Sequence, residues 1–321
     1  MKVIKNRKIW YLFSGFLVIS SLLALIAFGL NFGIDFTGGS LLRFEIDEKV
    51  NLNNDQIQES LSKVKLVKEF ENNEGQVETT EDGLGEIVIQ RVGEREVVLK
   101  LRDINEQTHQ EIIERLNQKA AEVLGEGDKE EVKLVKEIKF ENIGPSIGRE
   151  LRERSIIAVA IVLIAIVFYV AYAFRAVSNE FNRYESLRYG VVAIVALMHD
   201  VLIVLGVFAV LGRFKGVEIN TFFIAALLTI LGYSVNDTII VFDRIRENIL
   251  KRGHRNFAKT VDKSIGEVVT RSINTSVTTL LVLFSILILG GESTFYLVLA
   301  LIIGISLGTY SSIFLASPLL V

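Results

Sequence analysis

The chain contains no cysteine. Disulfides, cysteine-based zinc sites and thiol nucleophiles are therefore excluded. Histidine is scarce: the three, His109, His199 and His254, lie far apart and show no metal-ligand spacing. The soluble part lacks a large basic face, which argues against nucleic acid as a partner. The glycine-rich stretch near the N-terminus is not followed by Gly-Lys-Ser/Thr, so it is not a nucleotide-binding phosphate loop.

Hydrophobicity is present in long blocks. Half of the 321 residues are hydrophobic, and the charges are unevenly spread. Residues 41–150 hold 16 Lys+Arg against 26 Asp+Glu, a net of −10, while the remainder holds 19 against 12, a net of +7. This pattern describes an acidic soluble module set into a basic-flanked membrane module. Apolar runs of about 20 residues read as spanning helices. Six occur, at 9–30, 155–174, 191–212, 219–242, 272–290 and 294–319. The first follows Lys2, Lys5, Arg7 and Lys8, which invites a signal-peptide reading. Its apolar core is too long and no small-x-small cleavage site follows, so it reads as an uncleaved anchor.

Loop charge sets the expected orientation. Basic residues crowd the N-terminus, the 175–190 loop (Arg175, Arg183, Arg188) and the 243–271 loop. The 213–218 loop has only Arg213 and Lys215, and the 291–293 loop has no basic residue. Both termini are therefore expected in the cytoplasm, with 31–150 on the far side. Arg149, Arg152 and Arg154 run against this pattern, but Glu150 and Glu153 interleave with them, and long loops translocate despite local charge. The expected domains are 1–30 (N-terminus and first span), 31–150 (outer domain) and 151–321 (five spans).

The outer segment alternates like a strand at 41–46 and carries Ile57, Leu61 and Val64 at helical spacing over 53–66, with Asn53 and Asn54 as candidate caps. Residues 86–92 and 95–102 read as a hairpin around Gly93-Glu94. Residues 105–124 form an amphipathic helix pattern, and 131–140 alternate again. Strand, helix, strand, strand, helix, strand suggests a ferredoxin-like α+β sandwich. The acidic stretch 68–85 is weakly patterned and reads as loop, or as a further short strand near Val67–Phe70. No catalytic constellation emerges, and the acids read as a solvated surface.

Polar residues inside the spans carry the functional signal. Asp237 sits in an apolar run, and a charge at membrane depth costs a few kcal/mol or more unless paired, hydrated or protonated. Arg271 opens the next span at a similar depth, so an antiparallel helix pair is expected to bring the two together. Ser234, Asn236, Thr238, Asn274, Thr275 and Ser276 add polar atoms around both. Asp200 lies midway along the third span beside His199, and a His-Asp pair can relay protons. Adjacent helical residues point about 100° apart, so the two are expected to face different partners. Asp243, with Arg244 and Arg246, reads as an interface anchor. Gly33, Asp35, Gly38 and Gly39 lie just after the first span, where paired glycines permit positive φ or close approach. A tight turn between membrane and domain is the expected role.

These motifs resemble the SecD/SecF family of the resistance-nodulation-division superfamily. The resemblance covers essentially the whole chain. It rests on Phe32-Gly-Ile-Asp-Phe-Thr-Gly-Gly39, on Gly232-Tyr-Ser-Val-Asn-Asp-Thr-Ile-Ile-Val-Phe-Asp-Arg-Ile-Arg-Glu247 and on Arg271-Ser-Ile-Asn-Thr-Ser276. It also rests on one large outer loop among six spans. It implies a polytopic α-helical protein of the bacterial cytoplasmic membrane. The implied role is an auxiliary, non-enzymatic one in protein export, driven by the proton motive force after the SecYEG/SecA step. Asp237 and Arg271 match the family's proton-pathway positions, with Asp200, Asn236 and Ser234 as further candidates. The implied partners are a separate SecD chain, the SecYEG channel, the translocating preprotein and membrane lipids, with YajC and YidC as further candidates. No cofactor is implied. H⁺ and Na⁺ both suit a membrane carboxylate, so the coupling ion is left open. The alternatives are an ion-coupled exporter of small molecules or lipids from the same superfamily, and a scaffold or receptor, which would leave Asp237 and Arg271 unexplained.

Overall fold

The structure is a computed structural model, and it describes all residues except 1, 72–76, 94, 126–133, 174–184 and 253–255. Side chains are not described at 67–71, 77–81, 185–187, 252 and 292–293. Several sequence readings therefore lie partly or wholly outside the described residues: Arg175 and Arg183, Arg255, Glu94 of the hairpin, and the start of the 131–140 alternation. The chain divides into two compact units, one of residues 1–32 with 153–321 and one of residues 33–152.

The first unit is helical. Its spans are α1 (Arg7–Phe28), α5 (Pro145–Ala173, whose residues up to Arg152 belong to the second unit), α6 (Glu185–Lys215), α7 (Thr221–Arg252), α8 (Phe257–Leu289) and α9 (Glu292–Ser311). The last continues through a π turn, Ser312–Ala316, into the short α10, Ser317–Leu319. All six are long and apolar enough to cross a membrane. Helices α5 to α8 exceed the apolar runs read from sequence because charged or polar ends continue the same backbone ladder. Close approach depends on small residues, as expected where lipid offers no hydrophobic drive between helices. A Cβ on Gly206 of α6 would lie 2.3 Å from Ser21 Cβ of α1. On α9, a Cβ at Gly308 would lie 2.8 Å from Ser234 Cβ of α7. The apolar core of this unit includes the fully buried Tyr189 and Phe242, whose rings meet edge to face at 5.2 Å.

The second unit is α+β. A short helix, α2 (Ile34–Thr37), leads into β1 (Gly39–Ile46), followed by α3 (Asn54–Leu61), β2 (Lys65–Glu71), β3 (Val77–Gly83), β4 (Val88–Val92), β5 (Glu96–Leu101), α4 (Glu106–Leu124) and β6 (Val135–Ile143). The main sheet has the order β4-β5-β1-β6, antiparallel throughout. Leu42 opposite Leu99 and Phe44 opposite Val97 put apolar side chains on one face, where Ile57 and Leu61 of α3 and Ile112 and Leu116 of α4 join them in one buried core. Both helices begin at asparagine caps. Asn53 exchanges hydrogen bonds with Gln56 at 2.8 and 2.9 Å, and Asn105 Oδ1 accepts from Thr108 N at 2.9 Å.

The helix expected over 53–66 stops at Leu61, and Lys65–Glu71 is strand instead. Of the two readings of 68–85, loop or a short strand near Val67–Phe70, the strand is present as part of β2, and a further strand, β3, pairs with it in a separate two-stranded sheet. Leu66 of β2 is buried in the core of this unit, so a side chain anchors the ribbon as well as its backbone pairing.

Candidate functional site

The glycine motif is a turn with a steric reason behind it. Gly33 precedes α2 in extended geometry, Asp35 lies in that helix's first turn, and Thr37 Oγ1 donates back to Gly33 O at 3.1 Å. Gly38 and Gly39 have φ of 73° and 124°, the region side chains avoid. A Cβ at Gly38 would lie 2.8 Å from Pro145 Cα, and one at Gly39 2.6 Å from Leu101 O. The motif thus seats the first strand against its neighbours.

The chemical centre lies inside the helical unit. Asp237 of α7 is 1% exposed and Asp200 of α6 is fully buried. Asp237 Oδ2 accepts from Thr309 Oγ1 of α9 at 3.2 Å and from Ser276 Oγ of α8 at 3.5 Å. Both hydroxyls are also engaged elsewhere. They lie 2.6 Å from each other, Thr309 Oγ1 reaches Ile305 O at 3.0 Å, and Ser276 Oγ reaches Ser272 O at 2.9 Å. Each hydroxyl has one proton to donate, so Asp237 competes for long, shared bonds. Asp200 is better supplied. Its Oδ2 accepts from Ser234 Oγ at 2.6 Å and Ser311 Oγ at 2.8 Å, and its Oδ1 lies 2.9 Å from His199 Nδ1.

Three expectations are corrected by this geometry. Arg271 does not meet Asp237: among the described residues no ion pair joins them. Arg271 is exposed and lines a groove with Asp243, Arg244, Glu247 and Glu267. Similar depth on antiparallel helices does not imply the same face, and on α8 it is Ser272 and Ser276 that turn inward. Asn236 is exposed, as are Asn274 and Thr275, so none of the three adds to the buried cluster. His199 and Asp200 do not face apart. Both are buried, and the imidazole folds onto the neighbouring carboxylate. Ser234, Thr238 and Ser276 do line the interior. Asp243 pairs with Arg246 at 3.3 Å on the exposed surface.

Sequence reading missed Thr309 and Ser311. The available signal was the run Ser306, Thr309, Ser311, Ser312 and Ser317 in an otherwise apolar last span. Serine and threonine in a helix commonly satisfy themselves on the carbonyl four residues back, as Ser306 does on Ile302 at 2.7 Å. Their presence alone therefore did not mark a site.

Fold and site together define a polytopic helical membrane protein with two buried carboxylates among its spans and one α+β unit after the first. The family model described as protein export membrane protein SecD/SecF, C-terminal, matches residues 126–321, and the SecD/SecF GG motif matches residues 23–50. The chain is 39% identical over 319 residues to the protein translocase subunit SecF of Thermobaculum terrenum, covering 99% of this chain and 92% of the relative. It is 32% identical over 322 residues to that of Anaerolinea thermophila, covering 100% and 93%. A crystal structure of SecDF, a translocon-associated membrane protein from Thermus thermophilus, superposes with a TM-score of 0.75 at 32% identity. That match covers 99% of this chain but only 38% of the SecDF chain. The chain belongs to the SecD/SecF family.

Proposed function

We propose that this chain is the SecF-type auxiliary subunit of a bacterial protein-export machinery, and that with SecD it uses the proton motive force to assist preprotein translocation after the SecYEG/SecA step. Support comes from the family membership, from relatives named as translocase subunits over nearly their whole length, and from the buried acid. The observation that carries the coupling is Asp237, an ionisable group at mid-span whose two hydroxyl donors are long and shared. Such a residue reads as a functional site by default. H⁺ is the favoured coupling ion and Na⁺ the alternative.

In this reading the four-stranded unit is a ferredoxin-like sandwich on the extracytoplasmic side of the inner membrane, both termini are cytoplasmic, and the sandwich handles preproteins emerging from SecYEG. YajC and YidC are further candidate partners. The basic loops between spans support this orientation. An exporter of small molecules or lipids is disfavoured by the modest outer unit. Crosslinking that unit to a secretory polypeptide rather than to a drug-like solute separates the two.

The direct test is Asp237→Asn, which keeps size and hydrogen bonding but cannot exchange a proton. Normal membrane abundance with loss of proton-motive-force-dependent secretion is the expected result. Normal secretion in cells carrying only this variant would sink the assignment.

A further inference from the structure

Asp237 is one of two acids at membrane depth, and the other comes with a histidine. Asp200 Oδ1 lies 2.9 Å from His199 Nδ1. One proton must sit between these atoms, because two unprotonated acceptors at that distance repel. The second ring nitrogen, Nε2, is buried and has no hydrogen-bond partner among the described residues, and His199 as a whole is only 4% exposed. Leaving a buried polar atom unmatched costs stability, so a site that retains one calls for a reason.

We propose that His199 Nε2 is a second proton-binding site of this protein, coupled to Asp237 through α7 and α9. Uptake breaks an O–H bond of a hydronium ion and forms an N–H bond at Nε2, leaving a water molecule; release breaks that N–H bond and returns the proton to water as hydronium. With the shared proton on Nδ1, loading converts a pair of net charge −1 into an imidazolium–carboxylate pair of net charge zero. Imidazole is the side chain whose ordinary titration falls in the physiological range. The ring stacks beside Tyr310 of α9 at 6.2 Å, and the Tyr310 hydroxyl in turn meets Ser14 of α1 at 3.0 Å.

The coupling follows from shared anchorage. Asp200 holds Ser234 of α7 and Ser311 of α9, while Asp237 lies three residues beyond Ser234 and accepts from Thr309, two residues before Ser311. Both carboxylates therefore tie into the same helix pair, which is in near contact at Gly308 and Ser234. A change of charge at either one alters the hydrogen bonds that position the other. The titratable groups at comparable depth are Asp200 on α6 itself, Tyr11 on α1, Tyr233 and Asp237 on α7 and Tyr310 on α9. Arg7 and Lys8 stand at the start of α1, and the other charges of α7 follow Phe242.

The role of Asp237 in export comes from the reading above, but proton binding at His199 is measured without export. Only three histidines exist, so nitrogen-15 NMR of the full chain in detergent micelles resolves them, with His109→Gln and His254→Gln assigning His199 by elimination. The expected result is that the His199 Nε2 resonance changes from the unprotonated to the N–H form when the pH is lowered, and that Asp237→Asn displaces this change along the pH axis. An Nε2 shift that stays constant as the pH is lowered overturns the proposal. A titration unmoved by Asp237→Asn overturns the coupling. His199→Asn retains an amide donor toward Asp200 but not the exchangeable nitrogen, so it should change the pH profile of export; an unchanged profile counts against the site. Should Asp237→Asn secrete normally while Nε2 still titrates, the export reading fails and the proton site stands.

Discussion

Gly308→Ala tests whether the α7–α9 contact sets the geometry of both carboxylates. The added Cβ would lie 2.8 Å from Ser234 Cβ and 3.1 Å from Ser234 Cα. Ordinary contact begins at 3.4 Å, so relief by helix separation opens the pair by about 0.6 Å. The neighbouring atom is near the backbone, so no flexible side-chain end can move aside. That opening would stretch Ser234–Asp200 from 2.6 Å, Ser311–Asp200 from 2.8 Å and Thr309–Asp237 from 3.2 Å, the last beyond hydrogen-bonding range. Overpacking of this kind costs about 1–3 kcal/mol, and each weakened bond about 1 kcal/mol more. Gly232→Ala on α7 is the control, because nothing lies within 4 Å of its added Cβ. Thermal unfolding in detergent and proton-motive-force-dependent secretion should both fall for Gly308→Ala and hold for Gly232→Ala. Equal stability and equal secretion of the two variants would refute the reasoning.

The remaining predictions concern the ion-pair question and the α+β unit. In a double-variant cycle of Asp237→Asn and Arg271→Ala, unfolding should show a coupling below about 0.5 kcal/mol, as for residues that share no contact; a larger value would restore the pair. Residues 33–152, which hold their own core, should fold alone into an α+β domain by circular dichroism, and Leu42→Ala there should cost about 2–5 kcal/mol in denaturant unfolding. The Glu106 carboxyl is held below its ordinary range by the Gln110 amide and the His109 ring. Its contribution to stability is therefore present above the ordinary carboxylate range and lost as pH falls through the lowered value. Glu106→Gln should thus be less stable than the parent near neutrality, and the gap should close on acidification.

Much of the architecture was legible because it follows from one-dimensional signals. Apolar length marks the spans, period-two alternation marks β1, a hairpin signal marks β4 and β5, an asparagine marks the start of α3, and amphipathic spacing marks α4. Of the β2–β3 ribbon, the first strand was one of two readings, but the return strand was not legible, because Val-Glu-Thr-Thr-Glu-Asp-Gly has no apolar alternation and pairs outside the main sheet. The carboxylates themselves were legible, since an acid in an apolar run is conspicuous in any register. Their partners were not. Counting residues along α7 and α8 gives the height of Asp237 and Arg271 but not the direction each faces. The structure turns Ser272 and Ser276 inward and leaves Arg271 on the surface. His199 failed for a related reason: a 100° step separates adjacent Cβ atoms, but a long ring can fold back across it to reach Asp200 at 2.9 Å.

The two buried acids differ in what surrounds them, and that difference suggests a division of work. Asp200 receives two short hydroxyl bonds from two different helices and a third contact from its neighbouring imidazole. Removing such a hub would unfasten α7 from α9 as well as change a charge. Asp237 is held only by hydroxyls that have carbonyl alternatives within 3.0 Å on their own helices. Thr309 and Ser276 can therefore turn toward the carboxylate or away from it without losing a hydrogen bond, so the local structure tolerates either protonation state of Asp237. A group meant to change charge inside a membrane needs that tolerance, because each state must find its hydrogen bonds without moving a helix. Asp200 and Asp237 tie into the same pair of helices, so the Asp200 carboxylate keeps the frame in register while protons come and go at His199 Nε2 and at Asp237.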